Sequence, residues 1–221
     1  MNILFDYDGT LYDSAPLFAK VFRAAYVIAV RKGWFPSRDW SDAEVGRWLG
    51  YNSRKMRQDL AADLTEEEWR EFQGHMVRIS KTLADWKSSS LFPGVHRMLQ
   101  VLMDEGHRLF ILSNCRADYI EQQRELFGLD KYFDAYYCSG DFDWRQKFEI
   151  FPEIRGKFPG EFIIVGDRRQ DIEIARRHDL RSIGCRYGYG DEDEIRDASV
   201  LVDSPREIPR IIQSWQARTK V

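Results

Sequence analysis

The chain of 221 residues has few cysteines, little net charge and no long apolar run. Its three cysteines, Cys115, Cys138 and Cys185, form no C-x-x-C pair, which argues against a zinc site and favours reduced thiols. A net charge of −3 gives no indication of a surface that binds nucleic acid or membrane. The absence of a basic n-region and of a segment long enough to span a bilayer predicts a cytoplasmic protein.

The remaining composition is that of a folded, soluble protein. Hydrophobic residues make up 43% and charged residues 31%, and the sequence contains neither internal repeats nor low-complexity segments. A chain of this length can bury one good core, or a core together with a smaller appended domain.

The most informative segment is a short apolar run that ends in two aspartates. Residues 2–5 (NILF) lead into the sequence DYDGTLYDS, whose first two carboxylates are Asp6 and Asp8. An apolar stretch that breaks at Gly-Thr is typical of a buried parallel strand followed by a loop. Ligands of open α/β sheets bind beyond the carboxyl ends of the strands, where this loop would begin. Two carboxylates there repel each other and favour a cation, and Mg²⁺ is the usual one when phosphate also binds.

The hydrophobic pattern divides the chain into a helical block and an alternating block. Between Ser14 and Ser90, apolar residues recur at helical spacing, without strand-like alternation. The later block alternates strands and helices, which is typical of a doubly wound parallel sheet. The predicted fold is therefore α/β, with a doubly wound parallel sheet from residues 1–14 and 89–221 and an inserted all-helical domain at residues 15–88.

The same pattern predicts the bounds of the main elements. Strands are predicted at residues 2–5, 108–112, 135–137, 162–165, 182–185 and 200–202. Helices are predicted at residues 14–32, 41–50, 53–63, 65–86, 92–105, 117–127, 148–157 and 171–178, with a last one starting near residue 205.

Polar residues follow two further core strands. Ser113 and Asn114 follow the strand at residues 108–112, Asp167 follows the strand at residues 162–165, and Lys147 starts a helix between these strands. These residues and the first segment resemble the four motifs of the haloacid dehalogenase-like superfamily, specifically its phosphatases. They occur in the family's order and extend over most of the chain.

The resemblance is carried by motifs of unequal specificity. The first motif matches as DYDGTLYDS and is highly specific, and the fourth matches as GDRRQD at residues 166–171 and is moderately so. The second, ILSN at residues 111–114, and the third, Lys147, count only in combination. The insertion directly follows the first motif, where the phosphoglycolate-phosphatase-like branch carries a helical cap. The resemblance implies a Rossmann-like core with this cap.

The chemistry of phosphoester cleavage assigns roles to the carboxylates. Cleavage requires a nucleophile, neutralisation of charge on the phosphoryl oxygens and a proton for the leaving oxygen. Asp6 is placed to attack phosphorus and form an aspartyl-phosphate, and Asp8 can protonate the leaving oxygen and later deprotonate water. The resemblance implies that Mg²⁺ is held by the Asp6 carboxylate, the Asp8 main-chain carbonyl and Asp167.

Four residues are predicted to bind phosphate: Thr10, Ser113, Asn114 and Lys147. The resemblance implies that Ser113 and Lys147 hold the phosphoryl oxygens, although Ser113 alone also fits the N-cap of the next helix. The Thr10 hydroxyl or amide can donate to phosphate, because the preceding glycine lets the backbone approach. Asp171 would position Lys147 or support the metal ligands.

Two motifs depart from the family pattern. Phe148 follows Lys147 where the family usually has proline, and Arg145 lies close enough in sequence to compete for the same role. The fourth motif commonly has a small or hydroxyl residue after Gly-Asp, whereas this chain has Arg168 and Arg169. These arginines fit either solvated surface charge or additional anion contacts.

The cap is expected to supply the contacts that distinguish substrates. Residues 48–52 (WLGYN) resemble the specificity loop of this branch, with Gly50 allowing a tight turn and Tyr51, Asn52 or Arg54 meeting the leaving group. Arg54 fits ordinary surface charge equally well. Five tryptophans of this block are predicted to form its core rather than a substrate cage: Trp34, Trp40, Trp48, Trp69 and Trp86.

The leading hypothesis is a Mg²⁺-dependent phosphatase, monomeric or homodimeric, that hydrolyses a small phosphorylated metabolite. A β-phosphoglucomutase-like phosphotransferase shares all four motifs and the cap, so it remains an alternative. A binding or regulatory protein without turnover is a further alternative, although an idle site would gain nothing from crowded carboxylates. A dehalogenase is disfavoured because it would have no use for Asp8.

Overall fold

The computed structural model describes residues 1–51, 53–83 and 90–219 and divides the chain into two compact units. The first unit consists of Met1–Tyr12 and Leu91–Val221, and the second of Asp13–Ser90. The assignment of these units to a catalytic core and a cap stays a prediction.

The described residues contain eight strands and ten α-helices. The strands are β1 (Asn2–Phe5), β2 (Tyr12–Asp13), β3 (Ser90–Leu91), β4 (Arg108–Ser113), β5 (Ala135–Cys138), β6 (Phe162–Gly166), β7 (Arg181–Cys185) and β8 (Val200–Val202). The helices are α1 (Ala15–Arg31), α2 (Asp42–Gly46), α3 (Ser53–Leu60), α4 (Glu66–Thr82), α5 (Val95–Asp104), α6 (Ala117–Phe127), α7 (Lys147–Lys157), α8 (Arg169–His178), α9 (Glu192–Ile195) and α10 (Ile208–Thr219). None of these helices is long and apolar enough to cross a membrane.

A parallel sheet of six described strands forms the centre of the first unit, in the order β5-β4-β1-β6-β7-β8. The first strand of the chain therefore lies inside the sheet, with Leu4 opposite Phe110 of β4 and Ile164 of β6. An interior parallel strand must be apolar on both faces, which explains the uninterrupted run at the N-terminus. The predicted α/β class is confirmed.

Helices cover both faces of this sheet. Ile3 and Phe5 of β1 pack in a cluster with residues of α5, α6 and α10. Leu4, which points to the opposite face, packs with residues of α7 and α8. The alternation of β1 side chains between two helical layers is the doubly wound arrangement that the sequence predicts.

Most predicted elements are present, and the differences concern short segments. The helix predicted at residues 41–50 ends at Gly46, because the amides of Trp48 and Leu49 bond to carbonyls three residues back and continue the chain as tight turns. The one-turn helix α9 and the two-residue strands β2 and β3 are too short to produce a hydrophobic period, so the sequence pattern missed them.

The second unit is built on an aromatic core between its helices. Phe22 of α1 and Phe72 of α4 are both 0% exposed and pack on the tryptophans. The prediction that these tryptophans form core is confirmed for Trp40, Trp48 and Trp69, which are buried, while Trp34 packs against the cluster and Trp86 lies outside the described residues. A capping box at Thr65 starts α4, with reciprocal bonds between Thr65 and Glu68.

Candidate active site

Parallel pairing brings three polar strand ends to one edge of the sheet. Phe5 lies opposite Ile111 of β4 and Val165 of β6. Asp6, Ser113 and Asp167 follow these residues and are respectively 3%, 2% and 0% exposed. Because the carboxyl ends of parallel strands form the ligand-binding edge, the first unit has one buried polar cluster in the expected place.

Asp6 has one anchored and one open carboxylate oxygen. Its main-chain amide donates to the carbonyl of Val165 (2.9 Å), which continues the pairing of β1 with β6. Its Oδ1 accepts the amide of Tyr7 and lies against Lys147 Nζ, each at 2.7 Å. No described residue donates a hydrogen bond to the buried Oδ2. A fixed carboxylate with an oxygen left open for another group is suited to bind a cation or to attack an electrophile.

Lys147 joins two of the buried carboxylates. It is the first residue of α7, and its Nζ lies 2.7 Å from Asp6 Oδ1 and 2.7 Å from Asp171 Oδ1. Burial lowers the pKa of Lys147, but the adjacent Asp171 and Asp6 raise it further, so the net shift is upward and the lysine stays charged. Arg145 is instead on the surface in an ion pair with Glu153, so Lys147 alone of the two contacts the acidic cluster.

Asp167 and Asp171 complete a group of three buried acids. One carboxylate oxygen from each of Asp6, Asp167 and Asp171 lies within 4.8 Å of the other two. The Asp167 oxygens accept hydrogen bonds from the Thr10 hydroxyl (2.9 Å) and the Tyr189 amide (2.8 Å). Asp171 accepts from Lys147 at Oδ1 and from the Arg168 amide at Oδ2 (3.0 Å). Protein groups thus hold both oxygens of Asp171, as they hold both oxygens of Asp167.

The three carboxylates are crowded and only partly neutralised. Burial, followed by repulsion from Asp171, raises the pKa of Asp6 well above its usual range, even though Lys147 opposes the shift. The same two causes raise the pKa of Asp167 to about 7. A dication with a preference for oxygen ligands would relieve this repulsion, and the open Oδ2 of Asp6 offers it a ligand. The residues therefore fit Mg²⁺.

The loop after β1 approaches Asp167 so closely that only glycine fits. Gly9 has φ +85°, and a Cβ at this position would overlap the Asp167 carboxylate. The sequence predicts that Gly9 lets the backbone approach phosphate. In the structure, the group that the Gly9 backbone approaches closely is the Asp167 side chain.

Replacement of Gly9 by alanine should both strain the loop and displace Asp167. We expect Gly9→Ala to lower the free energy of unfolding by about 3 kcal/mol and to remove most activity. The matched control is Gly106→Ala, because Gly106 has φ +76° but, apart from Gly106 and its two chain neighbours, no described residue has an atom within 4 Å of the place that its Cβ would occupy. The control should cost about 1 kcal/mol and leave activity intact. Urea unfolding followed by circular dichroism would measure the stability of both variants, and a phosphatase assay their activity. Equal losses of stability in the two variants would contradict the proposed overlap with Asp167.

The other predicted phosphate-binding residues have contacts within the protein. The Thr10 hydroxyl donates to Asp167 and its amide to the Tyr7 carbonyl (3.3 Å), and the contact of Thr10 with phosphate stays a prediction. Ser113 ends β4, and α6 has Arg116 as its N-cap, so Ser113 does not cap that helix. Asn114 donates to the Gln170 side chain (2.7 Å), which links the second and fourth motifs.

Arg168 is buried, so it is not the solvated surface charge that was one interpretation of the sequence. It is 3% exposed, and its guanidinium donates to Glu194 Oε1 (2.6 Å) and to the Tyr189 carbonyl (3.0 Å). Since the Tyr189 amide donates to Asp167, this ion pair supports the loop that holds an active-site carboxylate. Arg169 is exposed, as surface charge would be.

Sequence reasoning missed Glu194 because it lies on the one-turn helix α9. A local signal was available, since the Asp191 side chain caps the Glu194 amide at 2.9 Å, a pattern that starts helices.

The adjacent arginines give a matched test of the buried pair. Arg168→Gln removes the cation that faces the largely buried Glu194 carboxylate, and we expect it to lower the free energy of unfolding by about 3 kcal/mol. Arg169→Gln should change it by less than about 0.5 kcal/mol, because this side chain is exposed. Urea titration of both variants would decide, and equal stabilities would contradict a structural role for the Arg168–Glu194 pair.

The predicted specificity residues lie in the second unit. Gly50, with φ +77°, makes the predicted tight turn before α3, Tyr51 is half-buried and Arg54 is exposed. Asn52 lies outside the described residues. The part of these four residues in substrate recognition stays a prediction.

Comparison with known proteins agrees with this fold. Residues 3–185 match the family of haloacid dehalogenase-like hydrolases. Phosphoglycolate phosphatase from Nitrosococcus oceani is 28% identical over 95% of each chain, and 5'-nucleotidase from Pseudomonas aeruginosa is 25% identical over 88% of this chain and 86% of its own. A predicted phosphatase from Clostridium acetobutylicum has the same fold, with a TM-score of 0.80 and 24% identity over 96% of this chain and 98% of its own.

Since the family match covers most of the sequence, the chain belongs to the haloacid dehalogenase-like hydrolases. Within them it is similar to the phosphoglycolate-phosphatase-like branch, as the motifs and the position of the insertion predict. The protein is therefore an enzyme of the hydrolase class, and a protein that merely binds ligands is disfavoured.

Proposed function

We propose that the protein is a Mg²⁺-dependent phosphatase that hydrolyses small phosphorylated metabolites through an aspartyl-phosphate on Asp6. The observation that carries the proposal is the buried Asp6 carboxylate, with Oδ1 held by Lys147 and Oδ2 without a donor among the described residues. The phosphoglycolate phosphatase and 5'-nucleotidase relatives act on small phosphate esters by their names, which supports the class of substrate.

In the first step, a carboxylate oxygen of Asp6 attacks phosphorus and the bond from phosphorus to the leaving oxygen breaks. Asp8 gives its proton to that oxygen, so the alcohol leaves in neutral form. Lys147 keeps Asp6 oriented through Oδ1, and its charge offsets the negative charge gathered around the phosphoryl group.

In the second step, water attacks the phosphorus of the aspartyl-phosphate while Asp8 takes a proton from it. The bond from Asp6 to phosphorus breaks, phosphate leaves, and both aspartates return to their starting states. A covalent intermediate of this kind replaces one difficult displacement by two easier ones.

The metal ligands we propose are Asp6, Asp167 and the main-chain carbonyl of Asp8, with Asp171 in support. Mg²⁺ bound there would neutralise charge on the phosphoryl oxygens. The hydrogen bonds to Asp167 from Thr10 and Tyr189 fix its orientation, as is usual for groups that support metal ligands.

The proposal is tested by hydrolysis of p-nitrophenyl phosphate with Mg²⁺ and with a chelator. We expect Mg²⁺-dependent release, and we expect Mg²⁺ without substrate to raise the melting temperature, because it relieves repulsion between buried acids. Asp167→Asn should weaken both effects. Turnover that persists in chelator, or the absence of turnover in folded protein, would overturn the proposal. Phosphoglycolate and nucleoside monophosphates are the first substrates to screen.

A further inference from the structure

One face of α6 packs along the loop that carries the first two aspartates. The contacting residues on the helix are spaced by four, so they lie on the same face. The three contacts are Tyr119 with Asp8, Gln123 with Tyr7, and Phe127 with Tyr12. None of these helical residues belongs to the motifs that the sequence analysis identified.

Tyr7 anchors this loop through one hydrogen bond and two ring contacts. Tyr7 separates the two aspartates in sequence and is 0% exposed, and its hydroxyl donates to Gln123 Oε1 (3.1 Å), which is also fully buried. Its ring stacks on Tyr12, with centroids 5.5 Å apart, and meets the edge of Tyr119 at 6.3 Å. A packed aromatic group of this kind holds each of its members in one rotamer.

Tyr119 places its hydroxyl directly on the carboxylate of Asp8. The oxygen of Tyr119 lies 2.7 Å from Asp8 Oδ1 and donates to it. A tyrosine phenol keeps its proton at neutral pH, so Tyr119 is the donor in this contact. Donors at such a distance form strong hydrogen bonds to carboxylates.

We propose that Tyr119 is a positioning residue for the acid–base step: its hydroxyl holds Asp8 through Oδ1, so that Oδ2 carries the proton given to the leaving oxygen. The inference rests on the proposed function. An acid works only when it is within hydrogen-bond reach of the atom that it protonates, and a carboxyl free to rotate would spend part of its time misdirected.

The proposal predicts an effect that depends on the leaving group. Phenyl phosphate and p-nitrophenyl phosphate share their shape near phosphorus, but nitrophenolate leaves readily without a proton whereas phenolate benefits from one. Tyr119→Phe should therefore lower kcat/KM for phenyl phosphate by about tenfold and that for p-nitrophenyl phosphate by less than about twofold. The variant keeps the ring that packs on Tyr7, so its melting temperature should stay close to that of the wild type.

The matched control is Tyr132→Phe, a buried tyrosine of the same unit whose hydroxyl meets His96 (3.2 Å) rather than a carboxylate. Its ratio of the two kcat/KM values should equal the wild-type ratio. Equal losses on both esters in Tyr119→Phe, or no loss on either, would overturn the role of Tyr119 while wild-type turnover upholds the phosphatase. If the wild type hydrolyses neither ester, the proposed function fails and the inference fails with it.

Discussion

Asp6→Asn should abolish phosphatase turnover while the protein still folds. The amide cannot attack phosphorus, so we expect kcat/KM for p-nitrophenyl phosphate to fall by at least about 10³-fold. The substitution nearly preserves shape, and it removes one of three crowded buried charges while Lys147 keeps its ion pair with Asp171. The free energy of unfolding should therefore change by no more than about 1 kcal/mol.

The control for Asp6→Asn is Asp104→Asn, which makes the same chemical change at an exposed position on α5. It should keep wild-type kinetics. Steady-state assays and urea unfolding of both variants are sufficient. Substantial residual activity in Asp6→Asn would remove Asp6 as the nucleophile, and loss of structure in that variant would show that its charge is needed for folding rather than chemistry.

Lys147→Met should affect both stability and turnover. The methionine fills a similar volume but leaves Asp6 and Asp171 without their common cation, each in a position that is at most 3% exposed. Removing one partner of a buried ion pair typically costs about 3–5 kcal/mol, and we expect a loss at the lower end because the carboxylates can take up protons. We also expect at least about a 10²-fold loss of kcat/KM, since Asp6 loses its anchor and the phosphoryl group its counter-charge.

Arg145→Gln is the control for this prediction, because Arg145 was the competing candidate in the sequence. Its exposed ion pair with Glu153 should contribute less than about 1 kcal/mol, and activity should not change. Urea unfolding and assays of the two variants would separate the candidates. A Lys147→Met protein as stable and active as Arg145→Gln would contradict the central place of Lys147 in the acidic cluster.

The location of the acidic cluster could be predicted because strand ends leave a local signal. An apolar run followed by polar residues indicates where a parallel strand stops, and the fold brings such stops to one edge. This reasoning applies to Asp6 and Asp167, which lie at neighbouring strand ends. Lys147 required the family resemblance as well, because a lysine at the start of a helix has no distinctive pattern of its own.

The contacts that support the cluster could not be predicted in the same way. Tyr119 meets Asp8 across 111 positions of sequence, and Arg168 meets Glu194 across 26. Such pairs depend on which helix face lies over which loop, and a single sequence carries no signal for that. The same limit explains why the sequence favours surface charge for Arg168, whereas the side chain is buried.

The measurement that tests the account most directly is the mass of the protein after reaction. Asp8→Ala keeps the nucleophile but lacks the group that activates water. Because nitrophenolate leaves without an acid, p-nitrophenyl phosphate should phosphorylate this variant faster than the aspartyl-phosphate is hydrolysed. Mass spectrometry of the acid-quenched Asp8→Ala protein should show one added phosphoryl group, located on the peptide that contains Asp6 and absent from Asp6→Asn. A phosphoryl group on any other residue, or turnover by Asp8→Ala without a covalent adduct, would contradict the account.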